Sequence, residues 1–530
     1  MQTDVIIVGA GPTGLALASQ LIRHGIDFVI VEKNDALTPF SKAIGVHART
    51  LEIYEQMGIA DDAVSQGTIA GKIRLLEGGH LRGEMDLSRL GEGLSRYPYM
   101  LLLEQSKNEK LLYDYVCRAG RDVQWGTELV ELSQTENGVS AAVRDRAGTT
   151  TVIDGKYLVG CDGPRSPVRH SLGLTFEGST FERFFYVADV QVDWEFSHDA
   201  LHICLVPDSI VAFFPMKGEK RYRIVSSFPE GWTEPTEKIP FDEIERRVKA
   251  DVEVPLTISN VDWFSVYKVH TRHVNRFSEG RCFLAGDAAH IHTPAGGQGM
   301  NTGIQDAYNL AWKLAYVLKG HASESILASY NQERLENARR LLGTTDRMFN
   351  FTAGTDWLLQ FIRSTVFPPL AKYLMGSEVV RRRFFPIISQ IGISYRKDDL
   401  SEHGGDRGFA VKAGDRLPYC LIDGESLYDR LHAPCFHLLI FSDGQTDPTT
   451  LKQDAETEFG PLLDCHIVPL YPHLSETFDA DTSFLVLLRP DNYIAALSHD
   501  PSLHPVRAYF TDTLGYDASK NSRFSTAVSL

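Results

Sequence analysis

The first fourteen residues constrain the fold more than any other part of the chain. Asp4 to Val8 is a β-branched run ending at Gly9-Ala10-Gly11-Pro12-Thr13-Gly14, after which Leu15, Ala18, Leu21 and Ile22 recur at helical spacing. Strand, GxGxxG turn and helix in that order describe the opening of a dinucleotide-binding βαβ unit. The first glycine permits the turn, the second lets a pyrophosphate approach the backbone, and the third lets helix pack on strand. The spacing is a weak signal alone, but a second strand, Asp27 to Val31, ends at Glu32-Lys33, about 20 residues on, where an acid meets ribose hydroxyls in such units.

Two later stretches repeat this logic. Cys282 to Ala285 reads as a buried strand closed by the turn pair Gly286-Asp287. Pro294, Gly296, Gly297 and Gly299 then form a loop too poor in side chains to fill its own space, so its amides can approach something flat or phosphorylated. From Met300 and Asn301 the residues Ile304, Ala307, Tyr308, Ala311, Leu314, Ala315 and Leu318 mark a long amphipathic helix, whose N-terminus carries free amides and partial positive charge. Gly160-Cys161-Asp162-Gly163, followed by a short basic helix through Arg169, is again a strand ending in a carboxylate beside glycine.

Between these landmarks, Ser41 to His47 is a loop placed to reach over a cofactor, and Leu103 to Glu109, with Gln105, opens a helix. Segments near Val123 to Val130, Val139 to Val143 and Thr149 to Val159 read as an antiparallel meander. Residues 182 to 275 alternate as strands of a separate sheet, in which Phe213, Phe214 and Pro215 are candidates for an apolar pocket wall; Arg221 and Arg223 fall on one face with Tyr222 opposite. Ser323 to Met348 and Asp356 to Gln390 read as helical, Ser401 to Gly414 as a linker. Beyond it Phe436 to Phe441, Asp464 to Val468 and Phe484 to Leu488 are strands, with Thr449 to Phe459 and Pro505 to Leu514 as helices. That order resembles a thioredoxin-like fold without its CxxC, which favours packing or dimerisation over dithiol chemistry.

Composition narrows the partners. A length of 530 residues implies about three domains, and 43% hydrophobic with 23% charged residues describes a soluble globular chain. A formal charge of −16, with Arg381-Arg382-Arg383 as the one basic run, excludes nucleic acid as a partner. Seven cysteines without a CxxC pair fit reduced thiols in the cytoplasm, and no apolar run approaches the about 20 residues of a membrane helix. His290 and His292 form an HxH pair with no third ligand candidate, so no metal is expected.

Together, Gly9 to Gly14 with Glu32, Gly160 to Arg169, and Arg281 to Gly303 resemble the group A flavoprotein monooxygenases of the para-hydroxybenzoate hydroxylase type. The tail, with Gly414-Asp415-Arg416-Leu417-Pro418 and Arg489-Pro490-Asp491, resembles the phenol and polyketide hydroxylase subgroup. The resemblance implies FAD held by Gly9, Gly11, Pro12, Thr13, Gly14, Glu32, Lys33, Lys42, Gln105, Asp162, Gly163, Gly286, Asp287, Pro294, Gly297, Gly299, Met300 and Asn301. Asp287 is expected on the ribityl chain and Pro294 beside the substrate ring, with Phe213, Phe214, Pro215 and Tyr222 around it. It implies NAD(P)H, with NADPH preferred, docking at the Asp162-Gly163 motif, and O2 carried as a flavin C4a-hydroperoxide that hydroxylates a phenolic or polycyclic aromatic. Phenol hydroxylases proper place an acid in the loop that here reads Lys42-Ala43-Ile44, which leaves His47, Tyr222 or solvent as base. Epoxidation, Baeyer-Villiger insertion and an idle flavin-bound interaction module are the alternatives, and a homodimer is compatible with the resemblance.

The fold expected is α/β and α+β. A Rossmann-like FAD-binding domain (1–180 and 270–345) carries an inserted β-sheet substrate domain (181–269), a helical connection (346–400) and a thioredoxin-like C-terminal domain (401–530).

Overall fold

A computed structural model describes residues 1–41, 43–206, 209–229, 232, 239–353 and 378–517. The expected FAD contact Lys42 and most of the expected helix from Asp356 lie outside the described residues.

Gln2–Val8, with Val5, Ile6, Ile7 and Val8 buried, is a continuous apolar run, which a strand covered on both faces requires. It pairs in parallel with Phe28–Val31 on one side and Thr150–Gly160 on the other, and Thr150–Gly160 pairs in parallel with Cys282–Leu284. Val8 stands opposite both Val31 and Gly160, and Gly160 opposite Leu284, so the four strands end flush. Glu128–Gln134 and Val139–Arg144 extend the sheet as the antiparallel meander. The helices Pro12–Arg23 and Gly299–Leu318 pack against each other.

A second sheet has eight strands, in the order His290–Ile291, Thr257–Val274, Phe176–Asp193, Arg221–Ser227, Ser209–Pro215, Ala200–Val206, Lys72–Glu77 and His80–Asp86. It is wider than the expected 181–269. Lys72–Glu77 joins it by parallel pairing with Ala200–Val206, a contact between distant segments that no local pattern announces. Strand alternation divides its faces. Tyr186, Ala188, Val190, Phe213, Tyr222 and Ile224 bury against Ile244, Val248 and Val252 of the amphipathic helix Phe241–Val252, while Phe214 on the other face packs beside Ile44, Leu102 and Met216.

Past Ala328–Ala353 and Glu378–Ile388, the C-terminal unit carries a four-stranded sheet in the order Leu463–Pro469, Phe436–Ser442, Phe484–Leu488, Ile494–Ser498; only the first pair is parallel. Its core is shared. Trp312 and Tyr316, from the far end of the Gly299–Leu318 helix, pack with Phe436, Leu438, Tyr509 and Phe510. Beside them Glu333 takes Lys313 Nζ at 2.7 Å and Arg489 at 2.5 Å, and Asp491 holds the other edge of Arg489.

Candidate active site

The flush strand ends bring Gly9, Glu32, Asp162 and the Gly286-Asp287 turn to one edge of the parallel sheet, where open α/β sheets bind ligands. Gly9 sits at φ +104°, and a Cβ there would lie 2.4 Å from the Cys161 carbonyl oxygen, so the turn needs glycine to pass the neighbouring strand end. A Cβ on Gly11 would meet nothing within 4 Å, which leaves an open face over the N-terminus of the Pro12–Arg23 helix. Pro12 takes the first helical turn, where its missing N–H costs no bond. The Thr13 side chain is wedged against Gly286 and Gly303, whose added Cβ atoms would fall 2.4 and 2.3 Å from its Oγ1. Thr13 thus offers the cradle its backbone while its side chain packs closely against both glycines.

Glu32 accepts hydrogen bonds from the Ala10 amide at 2.9 Å and from Asn34, which orients the carboxylate at the strand end; Lys33 is exposed beside it. Asp162 uses Oδ2 to accept the Val168 amide at 3.0 Å, and its buried Oδ1 has no partner among the described residues. Burial raises that carboxyl above the usual range, against the pull of Ser166, of backbone amides and of Arg169. Gly163 follows at φ +79° with open space around it. Gln105 donates to Glu109 at 2.8 Å and accepts the Ala43 amide at 3.2 Å, which ties the 43–46 loop to the cradle. Burial pushes the Glu109 carboxyl up to about 7.

Asp287 is exposed at the turn Gly286–Ala288. The turn is set by Asp306, which accepts the Gly286 amide at 2.9 Å, His290 Nε2 at 2.6 Å and Arg334 Nε at 2.6 Å. Burial opposes ionisation there, but Arg334 and then His290 hold the carboxyl below its ordinary value. Sequence reasoning passed over Asp306; the available signal was an acid interrupting the apolar stripe of Ile304, Ala307 and Ala311. His290 is therefore a buried partner of Asp306, and His292 Nδ1 donates to the Thr293 carbonyl, 2.8 Å away.

Asn301 joins the two loops. Its Nδ2 donates to the carbonyls of Gly45 and Gly297, both at 2.9 Å, and its Oδ1 accepts from the His47 amide at 2.9 Å and Thr50 Oγ1 at 2.8 Å. Behind it Tyr54, Asn108 and the Met300 sulfur form a hydrogen-bonded chain. Pro294 is exposed, with its carbonyl accepting the Gly297 amide at 3.0 Å. His47 is 2% exposed, its Nε2 lies 3.2 Å from the Gly297 carbonyl, and burial drops its pKa to about 4. The catalytic role expected for His47 gives way to that of a neutral strut, because its ring nitrogen is already engaged inside the loop.

Tyr222, Phe213 and Pro215 also require correction. Tyr222 and Phe213 lie in the outer core with Trp194, on the face turned away from the 43–46 loop, and the Tyr222 hydroxyl meets Trp194 Nε1 and the Ser197 carbonyl at 3.4 Å. Pro215, two residues from Phe213, shares its face by alternation. Phe214 lies on the opposite face, beside Ile44 and Met216. The inner face is organised by Arg223, which grips Asp189 through two bonds of 2.7 and 2.8 Å and donates to the Ala43 carbonyl at 3.0 Å. Trp263 Nε1 donates to the same Asp189 at 2.8 Å, and Phe185 and Tyr267 pair across the same face.

A glycine turn open at its second position, an acid at the next strand end, an Asp162 oxygen without a partner among the described residues and the free end of a second helix define a flavoprotein-type dinucleotide site, and the residues present fit FAD. A family model for the FAD binding domain matches residues 2–345. The 6-methylpretetramide 4-monooxygenase of Streptomyces rimosus is 32% identical over 519 residues, 93% of this chain and 90% of that protein. Pentachlorophenol 4-monooxygenase of Sphingobium chlorophenolicum is 30% identical over 524 residues, 93% of each. The solved structure of OxyS anhydrotetracycline hydroxylase from Streptomyces rimosus superposes with a TM-score of 0.76 at 27% identity, covering 98% of this chain and 100% of that one. The chain belongs to the group A FAD-dependent aromatic hydroxylases: a flavoprotein monooxygenase that takes its electrons from NAD(P)H. Among the described residues no helix is long and apolar enough to cross a membrane.

Proposed function

We propose that this enzyme adds one hydroxyl group to a phenolic or polycyclic aromatic compound, with NADPH and O2 as co-substrates. The observation that carries the reading is the inner face of the second sheet: Phe185, Phe214 and Tyr267 surround the Arg223–Asp189–Trp263 cluster, and Arg223 reaches the Ala43 loop beside the cradle. An apolar, aromatic wall with one fixed polar cluster suits a flat ring bearing a hydroxyl. The names of the relatives give pentachlorophenol and 6-methylpretetramide as what those proteins act on, which supports this substrate class.

FAD, when bound, supplies the redox chemistry, accepting hydride and delivering one atom of O2. The protein binds and orients. The Gly9–Gly14 turn and the helix behind it suit the pyrophosphate, Glu32 the adenosine ribose, and Asp287 the ribityl chain, with Gly286, Gln105, Asp162 and Gly163 alongside. Amides of Gly299, Met300 and Asn301, beside Gly297, would hold the flavin's pyrimidine edge and favour negative charge there. Pro294 stands at the substrate side of that loop. With His47 and Tyr222 enclosed, the phenol proton passes to solvent. The C-terminal sheet, whose second, first, third and fourth strands lie side by side in that order, supports a thioredoxin-like assignment. Seven free cysteines agree with a cytoplasmic enzyme, and we carry a homodimer as its assembly.

Purified FAD-loaded enzyme given NADPH and a panel of phenols and polycyclic aromatics under 18O2 tests the reading. Expected is substrate-stimulated NADPH oxidation with one 18O in a new ring hydroxyl. Ring-expanded or epoxide products, or no stimulation by any compound, would overturn it.

A further inference from the structure

The C-terminal unit contains a cluster that flavin chemistry does not use. His437 and Asp464 are register partners on the parallel strands Phe436–Ser442 and Leu463–Pro469. His466 follows Asp464 by two residues, so all three side chains emerge on one face. His437 Nδ1 lies 3.3 Å from His466 Nε2 and 3.6 Å from Asp464 Oδ2, and His466 Nε2 lies 3.2 Å from Asp464 Oδ2.

These separations have a chemical meaning. A tetrahedral ion bound at about 2.0–2.1 Å holds its ligand atoms roughly 3.3–3.4 Å apart. The three distances therefore approximate one face of such a tetrahedron. On the far side of the His437 ring, Nε2 lies 3.1 Å from the Ala433 carbonyl. That contact keeps the proton on Nε2 and turns the Nδ1 lone pair into the cluster, the arrangement by which a backbone carbonyl orients a metal-binding imidazole. His437 Nδ1 and Asp464 Oδ2 are then both acceptors, and His466 Nε2 has one proton to divide between them. A cation satisfies all three at once. His437 is fully buried, while the side chains of His466 and Asp464 are 14% and 41% exposed, which gives an entry path and a place for a water as fourth ligand.

We propose that His437, Asp464 and His466 form a binding site for a divalent transition-metal ion, zinc by ligand type, completed by water. Two imidazoles and one carboxylate suit zinc better than magnesium or calcium, which take oxygen ligands. The site is a structural clamp. It ties Leu463–Pro469, the edge strand of its sheet, to Phe436–Ser442. It also braces the segment before Ala433, where Arg23 donates to the His432 carbonyl at 2.7 Å and Gln56 to the Leu431 carbonyl at 2.8 Å, both from the cofactor-binding part.

The test uses the full chain with FAD bound, stripped of metal with a chelator and titrated calorimetrically with Zn2+ alone. One equivalent should bind and raise Tm. Asp464→Asn and His466→Gln should each weaken that binding at least about tenfold and abolish the rise in Tm, with flavin content unchanged. Absence of stoichiometric binding, or binding equally tight in both variants, would overturn the proposal and leave a shared hydrogen bond as the whole account. Should either variant misfold, X-ray absorption at the zinc edge of the wild-type protein decides: two imidazoles and oxygen ligands support the site, and any other shell rejects it.

Discussion

A methyl group added at Gly14 would lie 1.9 Å from the Gly9 carbonyl oxygen, whereas one added at Gly11 would meet no protein atom within 4 Å. The first position packs helix on strand, and the second faces open space, where the proposed FAD pyrophosphate would sit. Gly14→Ala should therefore lower the melting temperature even of FAD-free protein. Gly11→Ala should leave that temperature unchanged while weakening FAD at least about tenfold in a fluorescence titration, since the pyrophosphate loses its close approach. Equal effects of the two substitutions in both assays would contradict the assignment. Glu109 offers a second test at this scale. Burial lifts its carboxyl from the ordinary 4.5 to about 7, outweighing the bonds from Gln105 and the Thr38 backbone. Because the folded pKa is the higher one, its stabilising contribution is full below about pH 4.5 and is lost as pH rises through about 7. That loss is on the order of 3 kcal/mol. Urea unfolding from pH 5 to 8 should show it in the wild type, and Glu109→Gln should flatten the profile.

Alternation along the Arg221–Ser227 strand decides which of its residues meet the cofactor side. Tyr222 looks outward into the core with Phe213, and Arg223 looks inward to Asp189 and the Ala43 carbonyl. Both charges are almost wholly buried, so Arg223→Ala strands a carboxylate and should destabilise the protein by about 3–5 kcal/mol. Asp189→Asn added to it should recover much of that loss in a double-mutant cycle. Additivity of the two substitutions would mean that the pair acts independently. The Asn301 side chain works in the same way between loops, with each of its polar atoms bonded to the 45–50 segment or to Gly297.

The Gly299–Leu318 helix has 20 residues and so spans about 30 Å, with its N-terminus at the flavin loop and its C-terminal turns in the core of the last unit. Trp312 lies at that junction, donating Nε1 to Asp491 at 3.1 Å and packing edge-on to Phe436. Glu52 binds Arg416 across the same boundary while Arg49 donates to the Asp491 carbonyl, so the C-terminal unit is bonded into the cofactor-binding part. Trp312→Ala should cost about 3–5 kcal/mol and should lower flavin retention on heating, although the residue touches no cofactor. If flavin release and loss of far-UV dichroism stay at wild-type temperatures, the two parts are energetically independent.

What the chain announced by itself was local. The GxGxxG turn, Glu32, Asp162-Gly163 and Gly286-Asp287 each sit within a few residues of an apolar run, and backbone sterics place such glycines and acids at strand ends. Their meeting on one edge was also implied, because parallel strands of one sheet must share a carboxyl end. The remaining decisions were made between distant segments. Lys72–Glu77 entered the second sheet beside Ala200–Val206, the choice of inner face put Arg223 rather than Tyr222 beside the Ala43 loop, and Asp306 gathered Gly286, His290 and Arg334. His437 met Asp464 and His466 only through strand register. Periodicity shows that a strand has two faces, but which one is buried against what depends on the partner element, and only the packed chain supplies that partner.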